Sequence, residues 1–348
     1  MDRKIKICLV GCGGMAASYR HRYTQIPGAF LGLVIDASED VAREAAQKLG
    51  VEKWSTIFED ALASDIDIVD ISTPNFLHEQ QAVAALNAGK HVLLQKPIAP
   101  TLEEARNIVD AGYRNGKQIG MYMSMLDNPV YHEIKSLIKQ GLLGRISSIH
   151  CRGAHRGGLN MPADNWRNSL KKTGGGSFIQ LAVHPVNMVQ YLLEDRISKV
   201  FAFSKNMMCP NVGGDDVTAV SCEFESGILG TLESAYCAQQ DILSIYGSKG
   251  FISVFSDKQI QIMLDDIYES ELIKYHNPGE VESVMTELDM RVLYKKENPY
   301  DQHIAFVEAI MKGKTAPVPA ETGLYDLKIV KAVYKSAIEQ KLVEVDAL

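Results

Sequence analysis

A chain of 348 residues, 46% hydrophobic and 23% charged, has the makeup of a globular protein in water, with material for two domains and a large core. Its net charge of −7 and its lack of any long basic run exclude a general nucleic-acid surface. The six cysteines, at 8, 12, 151, 209, 222 and 237, fall in no metal-ligand spacing, so no metal site is expected and a reduced, cytoplasmic setting is.

The first stretch, MDRKIKICLVGCGG, places basic residues before an apolar run, as a secretion signal does. That run is only about five residues, short of the roughly 7–15 of a signal core. It reads better as a buried strand over residues 4–10. No stretch reaches the roughly 18 apolar residues that span a membrane. Gly11-Cys12-Gly13-Gly14-Met15-Ala16 follows and fits G-x-G-x-x-G/A. The first Gly permits a tight turn, the second lets a pyrophosphate approach the backbone, and the small sixth residue lets helix and strand pack closely. The phosphates would meet the N–H groups opening the next helix. A second strand, 29–35, ends at Asp36, where an acid would hydrogen-bond the adenosine ribose. No Arg stands at 37–39, so NAD is favoured over NADP. The competing account is a glycine turn and an acidic N-cap with no ligand.

Helices over 41–49, 78–88 and 102–115 alternate with strands over 66–71, 90–94 and 118–123, which predicts a doubly wound parallel sheet. Ligands in such sheets sit beyond the carboxyl ends of the strands. Two strand ends qualify: Ser72-Thr73-Pro74-Asn75 with His78, and Gln95-Lys96-Pro97. Lys96 is read as pointing into the cleft, against the alternative of a solvated surface lysine. His78 is either part of that site or an ordinary residue opening a helix.

The alternation stops after Asp127, so residues 1–124 are assigned to a Rossmann-type domain and 125–348 to a second α/β domain. A helix over 129–140 and a strand over 145–153 precede a polar loop, 156–173, that carries Trp166 and Arg167. Gly174 to Leu193 reads as a glycine turn and an apolar helix whose polar residues Gln180, His184, Asn187 and Tyr191 fall on one face. A buried polar stripe is costly unless it is paired or lines a cavity. Pro185 should kink the helix just after His184. His184 is the candidate proton acceptor. Strands over 200–204, 217–224, 230–235, 241–246 and 251–255 predict a large, mostly antiparallel open sheet, and helices near 302–311 and 324–340 close the chain. A sheet with one polar open face commonly packs on a second copy, so a homo-oligomer, dimer or tetramer, is expected through it, the alternative being a monomer with a solvated face.

Taken in order, GCGGMA, STPNFLH with QKP downstream, GGGSFIQLAVH, IYGSKGFISV and FVEAI…ETGLYDLKIVKAVYKSA resemble the glucose–fructose oxidoreductase/inositol dehydrogenase (Gfo/Idh/MocA) family over nearly the whole chain. The resemblance implies a bound nicotinamide cofactor and hydride transfer with a sugar, polyol or nucleotide sugar. It places the family's E-K-P lysine on Lys96, often beside a cis proline (Pro97 here), and its proton-accepting histidine on His184. The sequence departs from the family at Gln95, Gln180 and Asn187, each an amide where a carboxylate is usual. Met125 and Leu126 stand where an arginine is common. Relatives with an amide at 180 include enzymes acting at C3 of sugars. The implied mechanism has His184 take the hydroxyl proton, Lys96 donate to the same oxygen and Gln180 orient His184 or hold a neighbouring hydroxyl. Trp166 would stack on a sugar ring or else anchor its loop, and Arg167 suits an anionic group. Two alternatives stand beside this: glycoside cleavage through a 3-keto intermediate with NAD recycled, and a non-catalytic NAD-binding regulator.

Overall fold

The apolar run after Lys4 becomes a central strand in the computed structural model, which describes residues 4–19, 22–23, 26, 28–255, 259–264, 273–274 and 301–348. Strands β1 (Ile5–Val10), β2 (Ala29–Ile35), β3 (Trp54–Ser55), β4 (Ile68–Ile71), β5 (His91–Gln95) and β6 (Ile119–Tyr122) form, among the described residues, a six-stranded sheet in the order β3-β2-β1-β4-β5-β6. Every pairing is parallel. A sheet covered on both faces needs strands apolar on both sides, as the largely buried β1, β4 and β5 are. The crossovers use α1 (Gly14–Tyr19), α2 (Glu39–Leu49), α3 (His78–Asn87) and α4 (Leu102–Asn115). Their limits are written locally. Thr101 and Glu104 close a capping box on α4, worth about 1 kcal/mol, and Gly116 ends it at φ +59°.

The second sheet contains β7 (Ile146–Ala154), β8 (Ile197–Lys205), β9 (Val217–Phe224), β10 (Leu229–Ala235), β11 (Ile242–Gly247), β12 (Gly250–Phe255), β13 (Gln259–Leu264), β14 (Ile273–Lys274) and β15 (Val343–Glu344). Their order is β14-β13-β12-β11-β7-β10-β9-β8-β15, antiparallel except between β7 and β10. Val220, Cys222 and Phe224 of β9 turn inward while Ala219 and Ser221 face out. Helices α5 (Pro129–Lys139), α6 (Leu170–Thr173) and α7 (Val183–Leu193) belong to this unit, with α7 lying on β7 and β10. On the other face Phe203, Leu229 and Tyr246 are exposed, round a Glu233 flanked by His150 at 3.4 Å and Arg152 at 3.5 Å.

The chain divides into Met1–Met123 with Asp301–Leu327, and Ser124–Tyr300 with Lys328–Leu348. The sequence reading broke the chain at 124 and placed all that follows in one domain. Asp301–Leu327 instead return to the first unit, for a packing reason. Gln302 of α8 (Gln302–Met311) exchanges two hydrogen bonds with the Met123 backbone, and Phe306 lies so close over Gly120 that a Cβ there would fall 2.6 Å from its ring. Met121 N then donates to Val318 O at 2.7 Å. The last helix, α9 (Ala320–Glu339), begins in one unit and ends in the other. No helix among the described residues is long and apolar enough to cross a membrane, and none of their acidic, His and Cys clusters could hold a metal.

Candidate active site

In the first unit the ends of β1 and β4 meet. Gly11 leaves β1 at φ +86°, and a Cβ on it would lie 2.8 Å from the Ser72 and Thr73 backbones, so only glycine satisfies both the turn and the approach. Gly13 and Gly14 are exposed, with nothing within 4 Å of an added Cβ. Asp36 reaches the same turn: its Oδ2 accepts from Cys12 N at 2.8 Å and its Oδ1 from Ser38 N at 3.0 Å. Cys12 and Ala16 are buried against the core, Cys12 Sγ lying 3.5 Å from Ile35 O. The side chain of Met15 lies outside the described residues.

His78 sits one step behind the cleft. It has no exposed surface; its Nε2 faces Thr73 O at 2.9 Å, while its Nδ1 faces Pro97 O at 3.0 Å and Ile98 O at 3.3 Å. The ring therefore fills the space between the loop after β4 and the loop after β5, donating its single N–H to a carbonyl of one of them when neutral, and has no surface left for a cofactor. Carbonyls on both sides favour protonation, but burial outweighs them and takes the imidazole from 6.5 down to about 4. Thr73 Oγ1 bonds Gln81 and Asn75 is buried, while Ser72 and Pro74 are half-buried. Between Val92 and Pro100 only Lys96 is not buried, and its bond to Pro97 is cis. Gln95 Oε1 accepts from Lys96 N at 3.0 Å; its buried Nε2 faces no acceptor among the described residues.

In the second unit the predicted helix has two parts. Phe178–Ala182 is a π-helical turn, and the α-helix starts only at Val183. The expected kink after His184 moves upstream. A continuous α-helix would set the Pro185 ring against the Leu181 carbonyl, which the wider turn avoids, and Pro185 then lies in the first turn of α7, where a missing donor costs little. A Cβ on Gly153 of β7 would come within 3.2 Å of Pro185, so helix and sheet are close here. The polar stripe divides as well. Tyr191 OH bonds His132 Nδ1 at 2.7 Å, His132 Nε2 bonds Leu126 O at 2.6 Å, and Lys135 Nζ stands 3.8 Å from the Tyr191 ring. That end packs α7 on α5. Gln180, buried, and His184, half-buried, lie at the π-turn end.

Trp166 and Arg167 open a tight turn capped by Asn165. The Arg167 guanidinium lies 4.4 Å from the Trp166 ring and also bonds the buried Tyr236 phenol, partly offsetting the upward push that burial gives it. Tyr236 stacks at 4.8 Å on His155, an exposed side chain whose Nδ1 accepts from Gly157 N. Neither His155 nor Tyr236 was singled out from the sequence. Each follows a strand, and the parallel register Ala154↔Ala235 sets them side by side. Sequence reasoning also passed over Asp215, which is buried with its two oxygens beside the backbone opening the π-turn: Oδ1 accepts from Gly176 N at 3.0 Å and Oδ2 from Phe178 N at 2.9 Å. Two adjacent acids ahead of a strand were the available sign of it.

Residues 5–123 match a family model described as an oxidoreductase family, NAD-binding Rossmann fold, and residues 135–345 one described as its C-terminal alpha/beta domain. A 1,5-anhydro-D-fructose reductase of Ensifer adhaerens is 26% identical over 289 residues, covering 77% of this chain and 86% of the relative. A myo-inositol 2-dehydrogenase of Thermotoga maritima is 24% identical, covering 98% and 99%. Among solved structures, a levoglucosan dehydrogenase in complex with NADH and levoglucosan superposes with a TM-score of 0.84 over 98% of this chain and 99% of that one; at 22% identity this likeness is one of fold.

Proposed function

The chain belongs to the Gfo/Idh/MocA oxidoreductases, an NAD-binding family, and on that premise we propose that it transfers a hydride between a nicotinamide and a carbinol carbon of a sugar, polyol or nucleotide sugar, C3 of a sugar being one candidate carbon. The observation that carries the reading is Lys96, the one unburied side chain of its stretch, held at a strand end by the His78 clamp. The relatives named as inositol and levoglucosan dehydrogenases supply the substrate class. Residues 1–124 bind the cofactor and 125–348 bind the substrate. Within the turn Gly11-Cys12-Gly13-Gly14-Met15-Ala16, Gly13 and Gly14 leave open backbone for a pyrophosphate. Asp36 holds the adenosine ribose and would repel a 2′-phosphate, which favours NAD. Ser72, Thr73, Pro74, Asn75 and Gln95 line the nicotinamide side, Gln95 with a donor to give.

NAD, when bound, supplies the hydride acceptor. His184 takes the hydroxyl proton in the direction of oxidation, and Lys96 donates to the same oxygen and stabilises the negative charge growing there. Gln180 orients His184 or a neighbouring hydroxyl through a neutral hydrogen bond. Trp166 offers its face to the ring, and Arg167 favours an anionic or nucleotide-linked group. The test is one panel: purified protein, NAD or NADP, and polyols, hexosides and nucleotide sugars, followed by nicotinamide absorbance and 3-keto product. Reduced cofactor with a keto product is expected. Glycoside cleavage without reduced cofactor favours the NAD-recycling route, and binding with no turnover across the panel overturns the dehydrogenase reading. The open face of the second sheet, with Phe203, Leu229 and Tyr246 exposed, supports a homo-oligomer. The six free cysteines suit the cytoplasm.

A further inference from the structure

A helix leaves its first four N–H groups without helical partners. At the start of the π-turn all four are taken, and by two side chains and one carbonyl from elsewhere. Gly176 N donates to Asp215 Oδ1 at 3.0 Å, Ser177 N to Asp215 O at 2.7 Å, Phe178 N to Asp215 Oδ2 at 2.9 Å and Ile179 N to the Tyr334 hydroxyl at 3.1 Å. Gln180 N, donating to Gly176 O, is the first to bond within the turn. The Asp215 carboxylate also accepts from the hydroxyls of Ser177 (2.7 Å), Thr218 (2.8 Å) and Tyr334 (2.8 Å), and it is 6% exposed. Glycine is required where these segments meet: a Cβ on Gly176 would lie 1.9 Å from Asp215 O, and one on Gly175 2.3 Å from the Tyr334 oxygen.

We propose that Asp215 and Tyr334 are positioning residues for the reaction: together they fix where the turn bearing Gln180 and His184 begins, and the Asp215 charge at the positive end of that helix raises the proton affinity of His184. The inference rests on reading His184 as the proton acceptor. Six residues at 1.5 Å each put His184 about 9 Å along the helix from the Asp215 cap. A full negative charge at that range, in a partly screened interior, is worth about half to one pH unit. The positive end of a helix acts the other way, lowering a nearby imidazole. Other titratable groups also pack round this segment. Lys331 donates to Gly174 O at 2.8 Å and stands 5.9 Å from the Tyr334 ring, and Tyr236 carries Arg167 on its phenol. At the far end are His132 and Lys135 of α5, with Cys151 on the strand beneath. Asp216, next in the chain, is spent on Met207, Met208 and Cys209 N–H groups.

Two variants separate charge from geometry. Asp215→Asn removes the charge and keeps the outline. Tyr334→Phe keeps the charge and removes the hydroxyl that caps Ile179. The pKa of His184, read by NMR from its ring protons, should fall by about half to one pH unit in D215N and stay within about 0.2 in Y334F. In turnover, the acid limb of the kcat/KM profile should move down with it in D215N. In Y334F kcat should drop about tenfold with the limb unmoved and NADH binding unchanged. A purely structural role predicts loss of stability with no change in the His184 pKa of either variant. An unshifted His184 in D215N, or wild-type kcat in Y334F, overturns the proposal. Should D215N not fold, Asp215→Glu replaces it: that variant keeps the charge and lengthens the side chain, so the His184 pKa should stay within about 0.2 while kcat falls, and a His184 pKa that drops there by about half a unit or more, or wild-type kcat in Y334F, overturns the proposal equally. H184A tells the two readings apart: if that variant turns over normally, the catalytic assignment fails, while the NMR shift still decides the electrostatic one.

Discussion

Lowering the pH should weaken the loop that presents Lys96, and the size of the effect follows from one ring. His78 is enclosed by three carbonyl oxygens and has no exposed surface. Its folded value is about 4 against 6.5 for an ordinary imidazole. Between those two values the unfolded chain binds a proton that the folded chain refuses. Stability therefore falls as pH drops from 6.5 toward 4 and loses nothing further below that. The interval is worth about 3 kcal/mol in all and about 2 kcal/mol by pH 5, a large part of the roughly 5–15 kcal/mol of a typical domain. His91 is also held low, to about 4, by burial and by Lys117, so the wild type alone would not isolate His78. The perturbation is His78→Gln, which does not titrate in this range. Urea unfolding of both proteins at pH 7 and pH 5 gives the answer as a difference of differences, with His91 common to both. The wild type should lose about 2 kcal/mol more than H78Q over that interval. At pH 7, H78Q should keep NADH binding but lose about ten- to a hundredfold in kcat, because the ring that fills the space between Thr73 and the Lys96–Pro97 segment is gone. Parallel pH dependences in the two proteins would refute the burial argument, and full kcat in H78Q would refute the clamp.

Lys96→Met and His184→Ala should each cut kcat by about 10²- to 10³-fold with NADH fluorescence titrations little changed; near-normal turnover in either takes that residue out of the chemistry. Asp36→Ser combined with Ala37→Arg should raise the NADP-to-NAD ratio of kcat/KM by at least about tenfold, and an unmoved ratio means Asp36 does not read the ribose. Phe203→Glu with Leu229→Glu should shift light-scattering mass toward the monomer with circular dichroism intact; an unaltered mass puts any self-association elsewhere. Trp166→Ala should raise KM for the sugar more than it lowers kcat, whereas unchanged kinetics with reduced melting temperature would make the indole a loop anchor.

The cofactor half was legible because its instructions are local. The strand, the glycines and Asp36 lie within a single strand–helix–strand segment, and the period of two against 3.6 separates the elements around them. Gly116 and the Thr101–Glu104 box mark helix ends with residues adjacent to those ends. That Asp301–Leu327 pack with the first unit was not legible, because this depends on Phe306 meeting Gly120, a contact no window of sequence contains. His78 was visible as a residue but not as a clamp, since its partners are carbonyls and any residue type offers a carbonyl.

The polar stripe from Gln180 to Tyr191 shows what periodicity can and cannot carry. A spacing of i, i+4, i+7, i+11 says that four side chains share a face if the helix is continuous; it does not say where the helix begins or what covers the face. Here the beginning is set 39 residues away by Asp215 and 155 residues away by Tyr334. With the start pinned and Pro185 barring a regular turn across Leu181, the chain takes the extra residue as a π-turn. Gln180 and His184 then lie at the turn, while Tyr191 lies against α5. Tyr191 is engaged by His132 and Lys135 of α5, so it drops out of the functional reading of the stripe, which centres on Gln180 and His184 at the turn. The physics that narrows it lies in an aspartate and a tyrosine that no local pattern would select.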